Sequence, residues 1–168
     1  MKLQTDIKIR SWQREDFQKV KNILLTTWKD TYSFIPLNDI ETYFNEFYSD
    51  QRLIEMFDDP FTNGILAEVE SNPVGWMKLY HNNLEKKFFV SSLYVLPEYQ
   101  GYGIGKKLLG EAYRIAKEKH FSNVWLGVMK QNVKSLEWYI NLGFIFDEEE
   151  PFQMGSTEVM HLIGYKVI

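Results

Sequence analysis

The sequence of 168 residues contains no cysteine. This absence excludes disulfides, thiol nucleophiles and zinc sites built on thiolates, and it is typical of proteins of a reducing compartment. No apolar run approaches the length of a membrane span, and residues 1–6 lack the apolar segment of a signal peptide. We therefore expect a cytoplasmic protein without a membrane partner.

The chain also lacks an excess of basic residues. It has 19 Lys and Arg and 23 Asp and Glu, which gives a net charge of -4. Nucleic-acid binding requires a basic face, so we expect no nucleic-acid partner, whereas a cationic substrate is tolerated or attracted. The three histidines, His81, His120 and His161, are scattered without ligand spacing. We expect no metal site.

The remaining composition is that of an ordinary globular protein, with 45% hydrophobic and 25% charged residues. Aromatic residues make up 16%; most are expected to fill the core, and some to line a ligand cleft. No linker, repeat or low-complexity segment divides the chain. The length suits one core, so we expect a single domain over residues 1–168.

Strand and helix patterns alternate along the chain and predict an α/β fold with a mixed sheet. Period-two alternation and apolar runs predict strands at residues 7–10, 65–69, 74–80, 88–96, 124–128, 144–146 and 159–165. Helical spacing predicts helices after Gln13, over residues 103–120 and after Asn132, with short helical pieces between residues 31 and 58. The second, third and fourth strands are expected to form an antiparallel meander around turns at 71–73 and 81–83.

Asn132 is a candidate cap for the last helix, which is expected to stop at Gly143. Its expected apolar positions are Val133, Leu136, Tyr139 and Ile140. The acidic run at 147–150 is interpreted as a solvated turn, with attraction of a cationic acceptor as the alternative.

A glycine-rich segment joins the strand at 88–96 to the helix at 103–120. Backbone N–H groups at such a helix start have no intrahelical partner, and the helix dipole favours an anion there, so the segment is a candidate phosphate site. It lacks the Ser or Thr that follows Gly-Lys in a P-loop, and it lacks the third glycine of the dinucleotide fingerprint. What remains is Gln-x-x-Gly-x-Gly at Gln100, Gly103 and Gly105.

This motif, with Leu-Tyr-Val at 93–95 before it, resembles the acetyl-CoA signature of the GNAT superfamily of N-acetyltransferases. The segment 132–144 resembles the Asn…Ser…Tyr…Gly-Phe segment of the same family, and the resemblance spans residues 7–166. It implies an α/β (α+β) fold with a mixed, mostly antiparallel central sheet of about seven strands and about four helices. Residues 28–32 further resemble PaiA-like polyamine N-acetyltransferases.

The resemblance implies acetyl-CoA as co-substrate and a set of residues that bind it. These residues are Leu93, Tyr94, Val95, Gln100, Gly101, Tyr102, Gly103, Ile104, Gly105, Lys106, Asn132 and Ser135. Main-chain amides at 100–106 would hold the pyrophosphate, with a plain strand-to-helix connection as the alternative. The strand at 93–95, beside a bulge in a splayed sheet, would offer only backbone groups to the pantetheine arm, its side chains belonging to the core.

Tyr139 is the candidate catalytic acid, because a phenol with a pKa of about 10 can protonate a departing thiolate. Core packing is the alternative role. Many family members carry a Glu base on the fourth strand, whereas this strand has none. Glu98, His81, Glu85 and a chain of waters all stay open as the base.

Trp28 and Tyr32 are expected to bind the acceptor, although helix packing explains Trp28 equally well. We expect direct transfer of acetyl to a primary amine, a polyamine being favoured over peptide or protein amines and antibiotics. A non-catalytic acyl-CoA sensor is the rival from another class. An acidic acceptor groove would favour polyamines. A homodimer is expected by resemblance, with the C-terminal strand as a pairing edge.

Overall fold

The structure is a computed structural model that describes residues 6–168. The expectation about a signal peptide concerns residues 1–6, of which 1–5 lie outside the described residues. In the described part of the chain, no helix combines the length and the apolar character needed to cross a membrane.

Within residues 6–168, seven strands form one sheet in the order β1-β2-β3-β4-β5-β7-β6. The strands are β1 (Ile7–Ser11), β2 (Thr62–Val69), β3 (Asn72–Asn82), β4 (Lys87–Val95), β5 (Asn123–Met129), β6 (Ile145–Met154) and β7 (Thr157–Val167). All neighbours are antiparallel except β4 and β5. The predicted mixed, mostly antiparallel sheet and its meander are confirmed.

Five α-helices accompany the sheet in the described residues, where about four were expected. They are α1 (Phe17–Thr31), α2 (Leu37–Phe47), α3 (Asp50–Asp58), α4 (Ile104–Glu118) and α5 (Val133–Asn141). The short helical pieces predicted between residues 31 and 58 are α2 and α3, which Tyr48 and Ser49 separate. Ser49 caps α3 by accepting a hydrogen bond from the Arg52 amide.

Two hydrophobic clusters cover the two faces of the sheet, because successive side chains of a strand point to opposite faces. On β2, Ile65 and Ala67 belong to the cluster under α4, whereas Leu66 belongs to the cluster under α1. In the helix α1, predicted after Gln13, the apolar residues Val20, Leu24 and Trp28 recur at helical spacing and are buried, whereas Phe17 is half-buried.

Three expectations about local structure were wrong. Val133 and Ile140 are 55% and 51% exposed, because α5 has only nine residues and turns Tyr139 to the sheet. The acidic run 147–150 lies in β6 and not in a turn. The hairpin between β2 and β3 turns at positions 70–71, both with positive φ, so that β3 already begins at Asn72.

The C-terminal strand is not a sheet edge either. β7 lies between β5 and β6, and the edges of the sheet are β1 and β6. The end of α5 agrees with its prediction, since the helix stops at Asn141 and Gly143 follows with φ of 92°.

The sheet opens between β4 and β5. These parallel strands pair only at Phe89 with Trp125 and at Val90 with Leu126, and no further pairing joins them. Ser91 is the extra residue of a bulge in β4, because Leu79 pairs with Val90 while Lys78 pairs with Ser92. The rest of β4 therefore has one edge without a strand partner. This agrees with the splayed sheet and the bulge that the family resemblance implied.

Candidate active site

A cleft of about 210 Å³ lies where β4 and β5 diverge. Side chains from α1, α2, α5 and all strands from β3 to β7 line it. Of the predicted site residues, nine contribute to its wall: Trp28, Tyr32, Leu93, Tyr94, Val95, Gln100, Asn132, Ser135 and Tyr139. The fold thus brings together residues that lie far apart in the sequence.

The other predicted residues follow Gln100 at the start of α4 and lie outside this wall: Gly101, Tyr102, Gly103, Ile104, Gly105 and Lys106. Ile104 is 2% exposed and lies in the core, whereas Tyr102 is 57% exposed to solvent. The side chain of Ile104 is therefore not available to a ligand. The Lys106 side chain is exposed.

The glycines of this loop serve two different purposes. Gly101 and Gly103 have φ of 85° and 83°, a left-handed conformation that a Cβ disfavours. A Cβ added to either would meet no atom within 4 Å, so open space lies beside the loop. Gly105 has ordinary helical geometry, but its Cβ would lie 3.0 Å from the Trp138 ring, so its small size lets α4 pack against α5.

Gln100 ties the loop to its surroundings, a role that the motif did not predict. Its Nε2 donates a hydrogen bond to the Val95 carbonyl oxygen at 3.0 Å. Its Oε1 accepts one from Lys134 Nζ on α5 at 3.4 Å. These contacts fix the loop relative to the end of β4 and to α5.

Asn132 caps α5, as predicted, because its Oδ1 accepts a hydrogen bond from the Ser135 amide at 3.4 Å. Both residues also line the cleft. The cap therefore holds the two side chains at the cleft wall, where either one is accessible to a bound molecule.

Tyr139 is buried at 7% exposure, with its ring packed edge-on against Trp138 and Phe144. Burial and then the nearby Tyr94 raise the pKa of Tyr139, so the phenol is protonated at neutral pH. Within residues 6–168, no hydrogen bond engages its hydroxyl. A protonated and unengaged phenol in a cleft wall is suited to donate a proton.

Tyr32 and Tyr94 form a pair in the cleft wall, with their hydroxyl oxygens 2.9 Å apart. Burial raises the pKa of Tyr32 to about 12, and it raises the pKa of Tyr94 as well. The expectation that the side chains at 93–95 belong only to the core was therefore wrong for Tyr94. Beside this pair, the buried Trp28 Nε1 has no hydrogen-bond partner among the described residues.

None of the side chains considered as a base lines the cleft. His81 is 7% exposed and packs against Phe61 and Phe121, away from this wall. Glu85 lies in the exposed turn between β3 and β4, and Glu98 lines a separate pocket. His161 of β7 does line the cleft, although no pattern in the sequence distinguished it from the other two histidines.

Charge is sparse in the cleft and denser beside it. Among the described residues that line the cleft, Lys78 is the one Lys, Arg, Asp or Glu, and its Nζ lies 5.6 Å from the Tyr48 ring centroid. Lys78, Tyr43, Tyr48 and Ser91 also line an adjoining pocket of about 400 Å³. That pocket adds Arg52 and the carboxylates Glu55 and Asp59.

No group of three or more His, Asp or Glu side chains in the described part of the chain is placed to hold a metal ion. The cleft instead combines a strand edge without a partner and a protonated phenol, and the start of α4 with open space beside it follows Gln100 just outside the cleft wall. An edge of free main-chain groups suits an extended, amide-containing ligand, and the helix start suits an anion.

Comparison with known proteins identifies the class that combines these features. The family model of the acetyltransferase (GNAT) family matches residues 8–144. The chain belongs to this family, and it is an N-acetyltransferase.

Two comparisons lead to the same organism. A spermidine N(1)-acetyltransferase of Thermoplasma acidophilum is 31% identical over 159 residues, which cover 92% of this chain and 95% of that protein. The crystal structure of a PaiA N-acetyltransferase from Thermoplasma acidophilum in complex with coenzyme A superposes with a TM-score of 0.83 at 26% identity. It covers 97% of this chain and 99% of that one.

A shorter match is to a protein named for a different acceptor. The thialysine N-epsilon-acetyltransferase of Bos taurus is 30% identical over 95 residues, which cover 50% of this chain and 56% of that protein.

Proposed function

We propose that this N-acetyltransferase moves acetyl from acetyl-CoA directly onto a primary amine, and that a polyamine is the acceptor. Residues 1–168 act as one catalytic domain. The observation that carries the proposal is the single cleft in which the unpaired edge of β4, Asn132 and Ser135 at the start of α5 and the free Tyr139 hydroxyl meet. Each of these features has a use in binding or cleaving a thioester.

The described residues fit acetyl-CoA along this route. Open space lies beside Gly101 and Gly103 at the start of a 15-residue helix, whose unpaired amides and dipole favour the pyrophosphate. The edge of β4 at 93–95 is free to pair with the amides of the pantetheine arm, and Asn132 and Ser135 flank that route. Alignment of thioester and amine in one cleft accounts for much of the rate.

The transfer needs no covalent enzyme intermediate, and the chain has no thiol to form one. The amine nitrogen attacks the thioester carbonyl carbon, and an amide of β4 stabilises the oxygen that becomes negative. When the carbon–sulfur bond breaks, the departing thiolate takes the proton of the Tyr139 hydroxyl. A sensor of acyl-CoA would have no use for a protonated phenol at this place.

The polyamine acceptor is supported by the spermidine acetyltransferase relative and by the chemistry of the cleft. The rings of Tyr43, Tyr48 and Phe152 offer π faces to an ammonium group. Glu55 and Asp59 in the adjoining pocket are placed to attract the distant amine of a long acceptor. The acidic groove expected for a polyamine is not found as such, because Lys78 and Arg52 balance these two carboxylates in the adjoining pocket.

A lysine-like acceptor is the second candidate, because two cations lie in the same region. Lys78 lines both the cleft and the adjoining pocket, and Arg52 lines the pocket while paired with Glu55 at 3.2 Å. A carboxylate on the acceptor would pair with Lys78, whereas the middle amine of a polyamine would be repelled by it.

The test follows thiol release from acetyl-CoA with spermidine, lysine and a short peptide as acceptors. We expect spermidine to give the highest kcat/KM, and Tyr32→Phe to raise the KM for the amine without changing the affinity for coenzyme A, because Tyr32 lines the cleft and not the loop at 101–106. Preference for lysine would replace the polyamine by the second candidate. Binding of acetyl-CoA without release of thiol by any amine would favour the sensor.

The expected homodimer, a further part of the proposal, pairs through a surface other than the β6 edge. That edge carries the acidic run 147–150, and like charges on an edge strand oppose pairing with a second copy. Light scattering of the purified chain distinguishes the dimer from a monomer.

A further inference from the structure

The cleft contains an imidazole whose orientation is fixed by packing. The His161 ring on β7 stacks on Phe152 of β6, with the centroids 4.3 Å apart and the planes 7° from parallel. On the other side, Gly127 of β5 leaves space next to the ring, because a Cβ there would lie 3.3 Å from His161 Nδ1. Gly127 directly follows the last residue of β5 that pairs with β4. The imidazole therefore lies beside the place where the two strands separate.

The imidazole of His161 has no hydrogen-bond partner among residues 6–168. The residue is partly exposed. Since buried polar groups are normally paired, a half-buried imidazole without a protein partner in a ligand cleft is suited to bind a group of the ligand.

The other titratable groups of the cleft are poor proton acceptors. They are Lys78 on β3, Tyr32 at the end of α1, Tyr43 and Tyr48 at α2, Tyr94 on β4 and Tyr139 on α5. A lysine ammonium has no lone pair to offer, and neutral phenols are weak bases. On β6, Glu150 lies opposite His161 in the strand register but does not line the cleft.

We propose that His161 is the catalytic base, which accepts the proton that the acceptor amine loses during acetyl transfer. The inference rests on the proposed function, since it assigns the base of that reaction. A base is needed from elsewhere, because the fourth strand has no carboxylate for this role. The other candidates, His81, Glu85 and Glu98, lie outside the cleft.

The proton balance fixes when His161 acts. A free alkylammonium has a pKa of about 10.4 and holds its proton too tightly for an imidazole to remove. The amine therefore reacts as the free base. When the nitrogen–carbon bond has formed, the nitrogen is positively charged and far more acidic, and its proton passes to His161. The carbon–sulfur bond then breaks, the sulfur takes the proton of Tyr139, and both side chains return to their starting state by exchange with water.

Burial lowers the pKa of His161, so the imidazole is neutral at pH 7 and ready to accept this proton.

The test compares His161→Gln with His120→Asn in the thiol-release assay with the best acceptor. His120 is exposed beyond the end of α4 at φ of 64°, a conformation that Asn tolerates, so its replacement is a matched control. Loss of a general base costs typically on the order of 10²-fold in rate, so we expect that loss in kcat for His161→Gln. The affinity for coenzyme A should stay unchanged, and the control should keep full activity.

Two further readouts separate catalysis from packing. The rise of kcat/KM with pH below 6.5, where His161 titrates, should disappear in His161→Gln, whereas the rise at higher pH from deprotonation of the amine should remain. Added imidazole should restore part of the rate. A variant that keeps the wild-type pH profile and a rate within a few-fold of wild type overturns the proposal while the transferase assignment stands. Absence of turnover in the wild type with every amine overturns the proposed function and this inference together.

A measurement on the wild type covers the case in which His161→Gln does not fold. Proton NMR resolves the three imidazoles, and His120→Asn assigns one of them. Burial lowers the pKa of both His81 and His161, so we expect both remaining imidazoles to titrate below the ordinary value of 6.5. We expect one of them to shift when the acceptor amine and coenzyme A bind. If neither remaining imidazole responds to the ligands, His161 does not contact the reacting groups and the proposal fails.

Discussion

Replacement of Gly103 by alanine should separate cofactor binding from folding. Gly103 lies at the N-terminus of α4 with φ of 83°, and a Cβ there meets no atom within 4 Å. The substitution therefore causes backbone strain but no clash. A residue with a Cβ in the left-handed region costs about 1–2 kcal/mol. In a chain of this size that cost lowers Tm by a few degrees, at roughly 2–4 °C per kcal/mol.

Gly143 provides the matched control, since its φ is 92° and the nearest atoms to an added Cβ, on Lys166, are at ordinary contact distances of 3.7 and 3.9 Å. Gly143→Ala should lose a similar amount of stability. Only Gly103→Ala places a methyl group beside the amides that we propose for the pyrophosphate. We expect its Kd for coenzyme A to rise at least about tenfold, which corresponds to about 1.4 kcal/mol.

Circular dichroism gives the two melting temperatures, and isothermal titration calorimetry gives the two affinities for coenzyme A. If both variants bind coenzyme A as tightly as the wild type, the loop is only a connection between strand and helix. If Gly143→Ala loses as much affinity as Gly103→Ala, the loss comes from general destabilisation. Either result would refute the assignment of the loop.

Tyr139→Phe should lower kcat about 10²-fold, the usual effect of losing a general acid, while melting and coenzyme A affinity stay near wild type. Arg10→Met should lower the free energy of unfolding at pH 7 by about 3 kcal/mol, measured in urea, because Arg10 lies 2.7 Å from both Asp16 and Glu68 and its loss leaves two carboxylates unpaired. The Arg10 hydrogen bond lowers the pKa of Asp16 below its ordinary 3.8. The stabilisation by the Arg10–Asp16 pair is thus complete above pH 3.8, the ordinary pKa, and is lost as the pH falls through the lowered pKa of the folded state. The free energies of unfolding of wild type and Arg10→Met should therefore become more similar in acid. Equal destabilisation at pH 7 and pH 3 would contradict this origin. Asp39→Ala should speed amide exchange at Ser156, because the Asp39 carboxylate accepts hydrogen bonds from the Ser156 amide at 2.8 Å and hydroxyl at 2.9 Å; unchanged exchange would contradict that link.

The parts of the fold that depend on local pattern could be predicted from the sequence. The apolar spacing in α1 and the Asn132 cap describe contacts within one helix or against one neighbour, and the structure agrees with both. The apolar pattern did not predict burial correctly for residues at the boundary of a buried helix face. Val133 and Ile140 are apolar and have helical spacing, yet the short α5 leaves both half exposed.

The loop of the site could be predicted in part, since its glycines imply a backbone that other residues avoid. Positive φ at Gly101 and Gly103 agrees with that reasoning, whereas Gly105 owes its small size to the Trp138 ring on another helix. Contacts of this second kind depend on tertiary packing, and no spacing within the motif carries information about them.

The wall of the cleft could not be predicted, because it joins residues remote in sequence. Tyr32 meets Tyr94 across 62 positions, and the imidazole of His161 is distinguished from those of His81 and His120 only by the strand on which it lies. A titratable residue becomes a candidate for catalysis through its neighbours. Strand order decided those neighbours, and it could not be read from the histidine spacing.

The most direct test of transfer is to count both products of one reaction. Wild-type protein is incubated with acetyl-CoA and spermidine, the free thiol is titrated, and mass spectrometry quantifies the acetylated amine. The account predicts one acetylated spermidine for each thiol released, at a rate that falls with Tyr139→Phe. Thiol released without acetylated amine would show hydrolysis, and coenzyme A binding without either product would show a sensor; both results would contradict acetyl transfer in this cleft.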